Sequence, residues 1–179
     1  GTEPYRATYW SQLMPGVKHV GATFKFSSGT GTIAAGLLIW EYPIPTPYEV
    51  PNSPMHLSIT PTRWELAVWT GGTESPTGSF TSIGSGSLSL ATDWNPAVAD
   101  SGTLHRCEVW ISGNTATIAL PNGTITTVTH AQIAAVPGNV AGWEHYRSAG
   151  TAGFCGFQEI WASTDVEQVS VSSRQNLLS

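Results

Sequence analysis

Residues 105–128, HRCEVWISGNTATIALPNGTITTV, constrain the fold more than any other stretch, because they hold two turn signals between three short runs rich in Val, Ile and Thr. In the first run, Cys107 and Val109 alternate with polar side chains, which is the period of a strand with two different faces. Ser-Gly-Asn at 112–114 and Pro-Asn-Gly at 121–123 supply residues that tolerate the positive φ of tight hairpin turns. The stretch therefore predicts an antiparallel meander.

The same alternation of apolar and polar residues recurs along the chain. Further strands are predicted at residues 20–26, 33–40, 55–59, 63–69 and 154–163. The run at 33–40, IAAGLLIW, is almost continuously apolar, which is typical of a central strand covered on both faces.

The segments between the strands predict loops, with very little helix. Residues 41–54 hold five of the twelve prolines, and residues 71–86 are rich in Gly, Ser and Thr with a short strand expected near Phe80. Only residues 130–136 could form a turn or two of helix before Pro137. These features predict an all-β antiparallel sandwich, with one domain over residues 1–165 and an edge strand or C-terminal tail over residues 166–179.

Several of these segments resemble concanavalin A-like (laminin-G-like) jelly rolls. The resemblance lies in His105, the Gly113-Asn114 turn and Gly123, in the early strand VGATFKF at 20–26, and in FQEIWAS at 157–163, which is similar to the closing strand of that family. Domains of this kind, with a similar composition, occur in tail-tip and receptor-binding proteins of actinobacterial (mycobacterial) phages. The resemblance implies a jelly-roll module that binds a carbohydrate or another cell-envelope ligand. It further implies an extracellular or virion location in a phage tail, within a longer chain for which a homotrimer is one expected assembly.

Charge and hydropathy exclude several partners. The 179 residues include only seven Lys and Arg, and the net charge is -5. Such a balance argues against nucleic-acid binding and against a polybasic membrane patch. No apolar run approaches the ~20 residues of a membrane span, so membrane insertion is not expected.

Three strands each carry a carboxylate and an indole on one face. The pairs are Glu65 with Trp69, Glu108 with Trp110, and Glu159 with Trp161. An indole can stack on a sugar ring while a carboxylate accepts hydrogen bonds from its hydroxyls. The alternative is that each Trp is half-buried under loops and each acid is solvated at a strand rim. The first pair is preferred, because its hairpin partner carries polar His56 and Ser58 on one face.

The stretch WEHYR at 143–147 brings an acid, a base, a phenol and a cation together. Alternation allows at most Glu144 and Tyr146, or His145 and Arg147, to act together on one face, although a polar strand or loop stabilised by charge pairs is the simpler interpretation. The predicted ligand-binding set is Glu65, Trp69, His56, Arg63, Glu108, Trp110, Glu144 and Tyr146.

Catalysis is left open, and no catalytic residue is assigned. Glycoside hydrolysis needs two nearby carboxylates, but Glu65, Glu108 and Glu159 are each the single acid of their strand. Acids paired across strands, or an acid, Tyr and Arg converging in a groove, would instead favour a polysaccharide-degrading enzyme. A third alternative is a purely structural module of a virion or surface assembly.

No cofactor or metal ligand is expected. The five His lack the spacing of a zinc site, while a structural calcium ion held by loop carboxylates such as Asp93 and Asp100 is left open. Cys107 and Cys155 both lie in predicted strands, so a disulfide between neighbouring strands and two buried free thiols both remain open.

Overall fold

A computed structural model describes residues 5–40, 55–69, 80–98, 100–134 and 138–164. These residues form eleven strands and one short helix. In chain order the elements are β1 Tyr5–Trp10, β2 His19–Phe26, β3 Ile33–Trp40, β4 Met55–Ile59, β5 Arg63–Trp69, β6 Phe80–Ser87, β7 His105–Ser112, β8 Thr115–Ala119, β9 Ile125–Thr129, α1 Ala131–Ala134, β10 Val140–Arg147 and β11 Cys155–Ser163.

The strands form two sheets that pack face to face. The six-stranded sheet has the order β1-β10-β3-β4-β5-β6, and the five-stranded sheet has the order β11-β2-β7-β8-β9. All neighbouring strands within the sheets are antiparallel. One apolar core, to which both sheets contribute, fills the space between them. The prediction of an all-β antiparallel sandwich is therefore confirmed.

The predicted alternation determines which side chains enter this core. On β4 and β5 the inward residues are fully or almost fully buried: Met55, Leu57, Ile59, Trp64, Leu66 and Val68. The outward positions between them hold polar or small residues. Strand β3 is buried on both faces, as its continuous apolar run predicts, and lies between β10 and β4.

The predicted meander forms strands β7, β8 and β9. Its two turns contain Gly113 with φ of 57° and Gly123 with φ of 83°. A residue without a Cβ adopts this left-handed conformation at low cost, which explains glycine at both turns. The inward residues Ala116 and Ile118 of the middle strand are fully buried.

Two segments differ from the sequence-based expectation. Residues 80–87, which were expected to be mostly loop, form the eight-residue edge strand β6, paired with β5 through a bulge opposite Leu66 and Ala67. Strand β1 was not predicted and pairs with β10 at the other edge of the same sheet. The predicted loops at 41–54 and 71–79 and the tail at 166–179 lie outside the described residues.

Helical structure is limited to Ala131–Ala134 in the described part of the chain, within the predicted 130–136 segment. Among those residues no helix is long and apolar enough to cross a membrane.

Both cysteines are buried free thiols on strands that are not neighbours. Cys107 lies opposite Ala22 on β2, and Cys155 lies opposite Phe26 on the other side of that strand. Burial raises the pKa of both thiols, that of Cys155 to about 12. Thiols held protonated in this way pack as small apolar groups.

Candidate functional site

The outward face of the six-stranded sheet carries a row of aligned residues that crosses every strand. From β1 to β6 the row contains Thr8, Glu144, Gly36, Ser58, Glu65 and Ser85. Pairing register alone brings these positions together, because they lie between 8 and 144 in the sequence. The two glutamates stand three strands apart, which is about 14 Å between their backbones at ~4.8 Å per strand.

An open groove of about 500 Å³ lies along this face. Its lining includes polar side chains from β4, β5 and β10 and hydroxyls from the strand ends: His56, Ser58, Arg63, Glu65, Glu144, Tyr146, Thr32, Thr60 and Thr62. The inward-facing indole of Trp64 also contributes to the wall. The groove thus offers carboxylates, a guanidinium, an imidazole, a phenol and several hydroxyls to one bound molecule.

The floor of the groove is low because the residues beneath it are small. Ala34 and Gly36 on β3 and Ala67 on β5 lie between the polar residues. A Cβ at Gly36 would come within 2.7 Å of His56 Nε2 and 3.2 Å of Glu144 Cβ. Glycine at this position therefore allows the imidazole and the carboxylate to approach each other over the central strand.

Glu144 is the most enclosed acid of the groove, with 7% of its side chain exposed. Its Oε1 lies 3.7 Å from His56 Nε2, and its Oε2 accepts a 3.4 Å hydrogen bond from the Thr8 hydroxyl. The imidazole and carboxylate form a charge pair when His56 is protonated. Glu144 is therefore held by Thr8 and His56 at the edge of the groove, with little of its carboxylate exposed.

Arg63 and Glu65 lie on β5 nearer the solvent. Arg63 Nη2 is 3.2 Å from Glu65 Oε2, and the two side chains are 53% and 34% exposed. An ion pair this exposed contributes little to folding and leaves both groups able to contact a ligand.

The turn between β4 and β5 forms one end of the groove and is held in place by Thr60. Its hydroxyl oxygen accepts hydrogen bonds from the amides of Thr62 and Arg63, at 3.3 and 3.0 Å. The amide of Leu90 bonds to Pro61 and that of Leu88 to Thr62, both at 2.8 Å. This end of the groove is therefore preorganised.

Five of the eight predicted site residues meet in this groove. They are His56, Arg63, Glu65, Glu144 and Tyr146. The side chain of Trp69 lies outside the described residues, so the predicted Glu65/Trp69 sugar shelf stays a prediction. Glu108 and Trp110 are on β7 in the opposite sheet and cannot reach the groove.

The surroundings of Glu108 are closed. Its Oε2 lies 2.8 Å from His19 Nε2 and accepts a 3.3 Å hydrogen bond from Trp161 Nε1, while its Oε1 accepts a 2.7 Å bond from Arg106 Nε. Burial acts to raise the pKa of Glu108, but the bonds from His19 and Arg106 outweigh it and lower the pKa to about 2. We call His19, Arg106, Glu108, Trp110 and Trp161 the β7 cluster.

The aromatic residues of the β7 cluster are committed to partners within the chain. The Trp110 indole stacks on the His19 imidazole with ring centroids 4.7 Å apart. The Arg106 guanidinium lies 4.4 Å from the centre of the Trp161 ring. The alternative of half-buried indoles and solvated acids does not describe this pair either, because Glu108 and Trp110 are both buried and Glu108 is hydrogen-bonded within the chain. A ligand role for Glu108 and Trp110 stays a prediction.

The loop carboxylates considered for calcium are not grouped. Asp93 accepts hydrogen bonds from the amide and hydroxyl of Thr103, at 2.7 and 2.9 Å, and the amide bond is the main cause of its lowered pKa. Over the described ranges, no group of three or more His, Cys, Asp or Glu is arranged to hold a metal ion.

Small and hydroxyl-bearing residues of the groove were not predicted. Ala34, Gly36, Thr60 and Thr62 carry no charge or motif that singles them out, and their role depends on strand pairing. One signal was present in the sequence: Ala34 and Gly36 lie on the same face of β3, so the first part of that face, before Leu38, is small.

Comparison with known proteins identifies the architecture. No protein-family model matches the chain, and no curated protein is significantly similar to it in sequence. Among solved structures, the carbohydrate-binding module CBM66 from Bacillus subtilis superposes with a TM-score of 0.52 at 9% identity, over 91% of this chain and 83% of that one.

Two further structures superpose with lower scores. The CBM2 module of the evolved Dit protein of Lactobacillus casei BL23 phage J-1 gives a TM-score of 0.49 at 10% identity, over 86% of this chain and 64% of that one. A tetrameric galectin from the ball sponge Cinachyrella gives 0.48 at 9% identity, over 88% of this chain and 99% of that one. At 9% identity, the similarity to CBM66 shows that the two proteins share the jelly-roll fold and shows nothing further.

Proposed function

We propose that this chain is a carbohydrate-binding module whose ligand site is the groove on the six-stranded sheet. The observation that carries the proposal is the convergence of His56, Arg63, Glu65, Glu144 and Tyr146 over a floor of small residues. Sugars present closely spaced hydroxyls that both donate and accept hydrogen bonds. A groove with acceptors, donors and hydroxyls at fixed positions matches that pattern.

The fold supports the same proposal independently of the site residues. CBM66 is by its name a carbohydrate-binding module, and it shares the sandwich of this chain. Fold alone does not assign function, so the proposal depends on the groove and uses the fold as an accompanying argument.

The biological setting that we propose is host recognition by a phage tail. In this setting the chain is one module of a longer, homotrimeric tail protein, is located on the virion outside the cell, and binds a glycan of the bacterial envelope. The support is the resemblance of residues 20–26, 105–123 and 157–163 to jelly-roll domains of actinobacterial phage tails, together with the low Lys and Arg content. Adsorption of the labelled chain to actinobacterial cells, with and without periodate oxidation of their surface sugars, tests this setting.

A glycan array with matched variants tests the binding site. Glu65→Gln keeps the shape of the side chain but removes its charge, and we expect it to weaken binding about tenfold, in the range of a lost charged hydrogen bond. Glu159→Gln is the control, because Glu159 is an exposed acid on β11 of the opposite sheet. Equal loss in both variants, or no glycan bound by the wild type, would contradict the proposal.

A polysaccharide-degrading enzyme is the second candidate function. The observation that favours it is that two acids, Glu65 and Glu144, line one groove with Tyr146 and Arg63. Glycosidases hold their two carboxyl groups about 5–10 Å apart. With backbones about 14 Å apart, these two side chains would have to lean toward each other across Gly36 and Ser58.

Turnover separates the two functions. Each glycan that binds is incubated with the wild type and with Glu144→Gln, and the reducing ends are counted. New reducing ends that the variant fails to produce would identify an enzyme with Glu144 as a catalytic group. Binding without new reducing ends supports the binding module.

A further inference from the structure

The groove does not end at the last row of strand residues. A second cavity of about 250 Å³ lies at the end of the sandwich and shares Thr32, Thr60 and Thr62 with the groove. Its remaining wall comes from the 27–33 segment that connects β2 to β3, from Pro61, and from Thr92. The two spaces therefore adjoin, and a path from the sheet face to the strand ends passes these three threonines.

The chemistry changes along this path. In the groove the lining carries carboxylates, a guanidinium and an imidazole. In the second cavity the described lining consists of Ser, Thr, Gly, Ile and Pro, and none of these side chains ionises. Hydroxyls and backbone groups can bond to sugar hydroxyls but provide no charge to balance a carboxylate or sulfate on a ligand.

The walls of the second cavity are fixed by neighbouring loops. Thr32 donates its amide to the Ser148 hydroxyl at 3.0 Å, and its carbonyl accepts a 2.8 Å bond from the Ser148 amide. Ser27 and Phe154 exchange two further bonds, at 2.9 and 2.7 Å. A cavity held this firmly loses little entropy when a ligand binds.

Glycine brings these loops together at Gly29. A Cβ at this position would overlap the backbone of Gly153. The 27–32 and 151–153 segments therefore pack closely together beside the cavity.

From this geometry we infer that the site binds an extended, uncharged glycan chain. One part of the chain occupies the charged groove near Glu144 and His56. The next sugars cross the β4–β5 turn into the hydroxyl-lined cavity beside Thr62. The inference rests on the proposed function and adds the length and charge class of the ligand.

The test is a set of affinity measurements on oligosaccharide ladders. Calorimetry is run with cello-, chito-, manno- and laminari-oligosaccharides from mono- to hexasaccharide, and with oligogalacturonides as the acidic ladder. We expect one neutral ladder to gain about tenfold in affinity between disaccharide and tetrasaccharide. We expect the acidic ladder to bind more weakly at every length.

A variant that blocks the second cavity tests whether the gain in affinity with chain length comes from that cavity. Thr92→Trp fills the second cavity at a residue that lines this cavity and not the groove. It should remove the gain in affinity with length while leaving the disaccharide affinity unchanged. Thr124→Trp is the matched control, because Thr124 is an exposed threonine on the distant β8–β9 turn.

The outcomes distinguish this inference from the proposed function. A neutral ladder that binds with no dependence on length, a gain that survives Thr92→Trp, or tighter binding of the acidic ladder would overturn the inference and leave the groove as a binding site. A chain that binds none of the ladders would overturn the inference, and a chain that also binds nothing on the glycan array would overturn the proposed function, provided that thermal melting shows it to be folded.

Discussion

The outward faces of the two sheets carry the same kinds of side chain but use them differently. On the five-stranded sheet, Glu108 receives donors from three neighbouring positions, and the β7 cluster satisfies its own charges. On the six-stranded sheet, Glu65 remains one-third exposed beside the open groove, whereas Glu144 is as enclosed as Glu108 and is held by Thr8 and His56. The two faces therefore differ in the exposure of Glu65 and in the open space above the small residues Ala34, Gly36 and Ala67, because Glu144 also has partners on neighbouring strands.

A glycine near the middle of each face shows how this difference arises. At Gly21 on β2, the missing side chain is replaced by the indole of Trp161, which lies directly on the backbone. At Gly36 on β3, the nearest groups are the tip of His56 and the Cβ of Glu144, and the space above belongs to the groove. One glycine is covered by an aromatic ring, and the other leaves a depression.

We call the outward face of the five-stranded sheet the closed face and that of the six-stranded sheet the open face. The largest effect is expected at Glu108, near the centre of the closed face. Glu108→Gln removes the charge that His19 and Arg106 share, and should lower the free energy of unfolding by about 3 kcal/mol, as for a buried pair that loses one partner. Glycan binding in the groove should not change. Urea denaturation measures the first quantity, with Glu159→Gln as an exposed control on the same sheet. An unchanged denaturation midpoint would show that the β7 cluster does not stabilise the fold.

Low pH should lower the free energy of unfolding through the protonation of Glu108. Because the pKa of Glu108 is lowered from 4.5 to about 2 in the folded chain, its stabilising effect is complete above the unfolded pKa and is lost as pH falls from about 4.5 to about 2. The unfolding free energy measured at a series of pH values should decrease over this window. In Glu108→Gln the decrease should be smaller, and identical slopes for the two proteins would contradict the assignment.

Strand positions were predictable because period-two alternation is a local property. The pattern correctly indicates which residues face the core, among them Val20, Phe24, Leu57 and Leu66. Glycine at the tight turns follows from the positive φ that these turns require. Edge strand β6 was harder, because its sequence FTSIGSGS has few apolar residues and pairs through a bulge. Its strand conformation depends on pairing with β5, which is not visible in the segment itself.

The site was predictable only in part, for a similar reason. Alternation correctly put Glu144 with Tyr146 on one face, and Arg63 with Glu65 on another. The two pairs line the same groove because of the sheet order β10-β3-β4-β5, which brings together residues about eighty positions apart in the sequence. Equally, nothing within β7 indicates that Glu108 is enclosed by His19 and Trp161 from two other strands.

Adding one methyl group to the closed face should have a moderate effect. In Gly21→Ala the new Cβ would overlap the Trp161 indole, which must move away from Glu108 and Arg106. Overpacking of this kind costs about 1–3 kcal/mol. Thermal melting measures the loss, and Trp161 fluorescence should shift to the red as the ring becomes more exposed. A melting temperature equal to that of the wild type would mean that the indole is not held against β2.

The same methyl group on the open face should have the smallest effect on stability and a clear effect on function. In Gly36→Ala the Cβ would approach His56 Nε2, the end of a side chain that can tilt toward the groove. Alanine in a strand also regains about 0.5–1 kcal/mol relative to glycine, so the net change in unfolding free energy should be under about 1 kcal/mol. The raised floor and the displaced imidazole should nevertheless weaken glycan binding. If Gly36→Ala instead destabilises the fold as much as Gly21→Ala, the His56 and Glu144 pair is a structural contact like the β7 cluster, and the two faces do not differ in the way proposed.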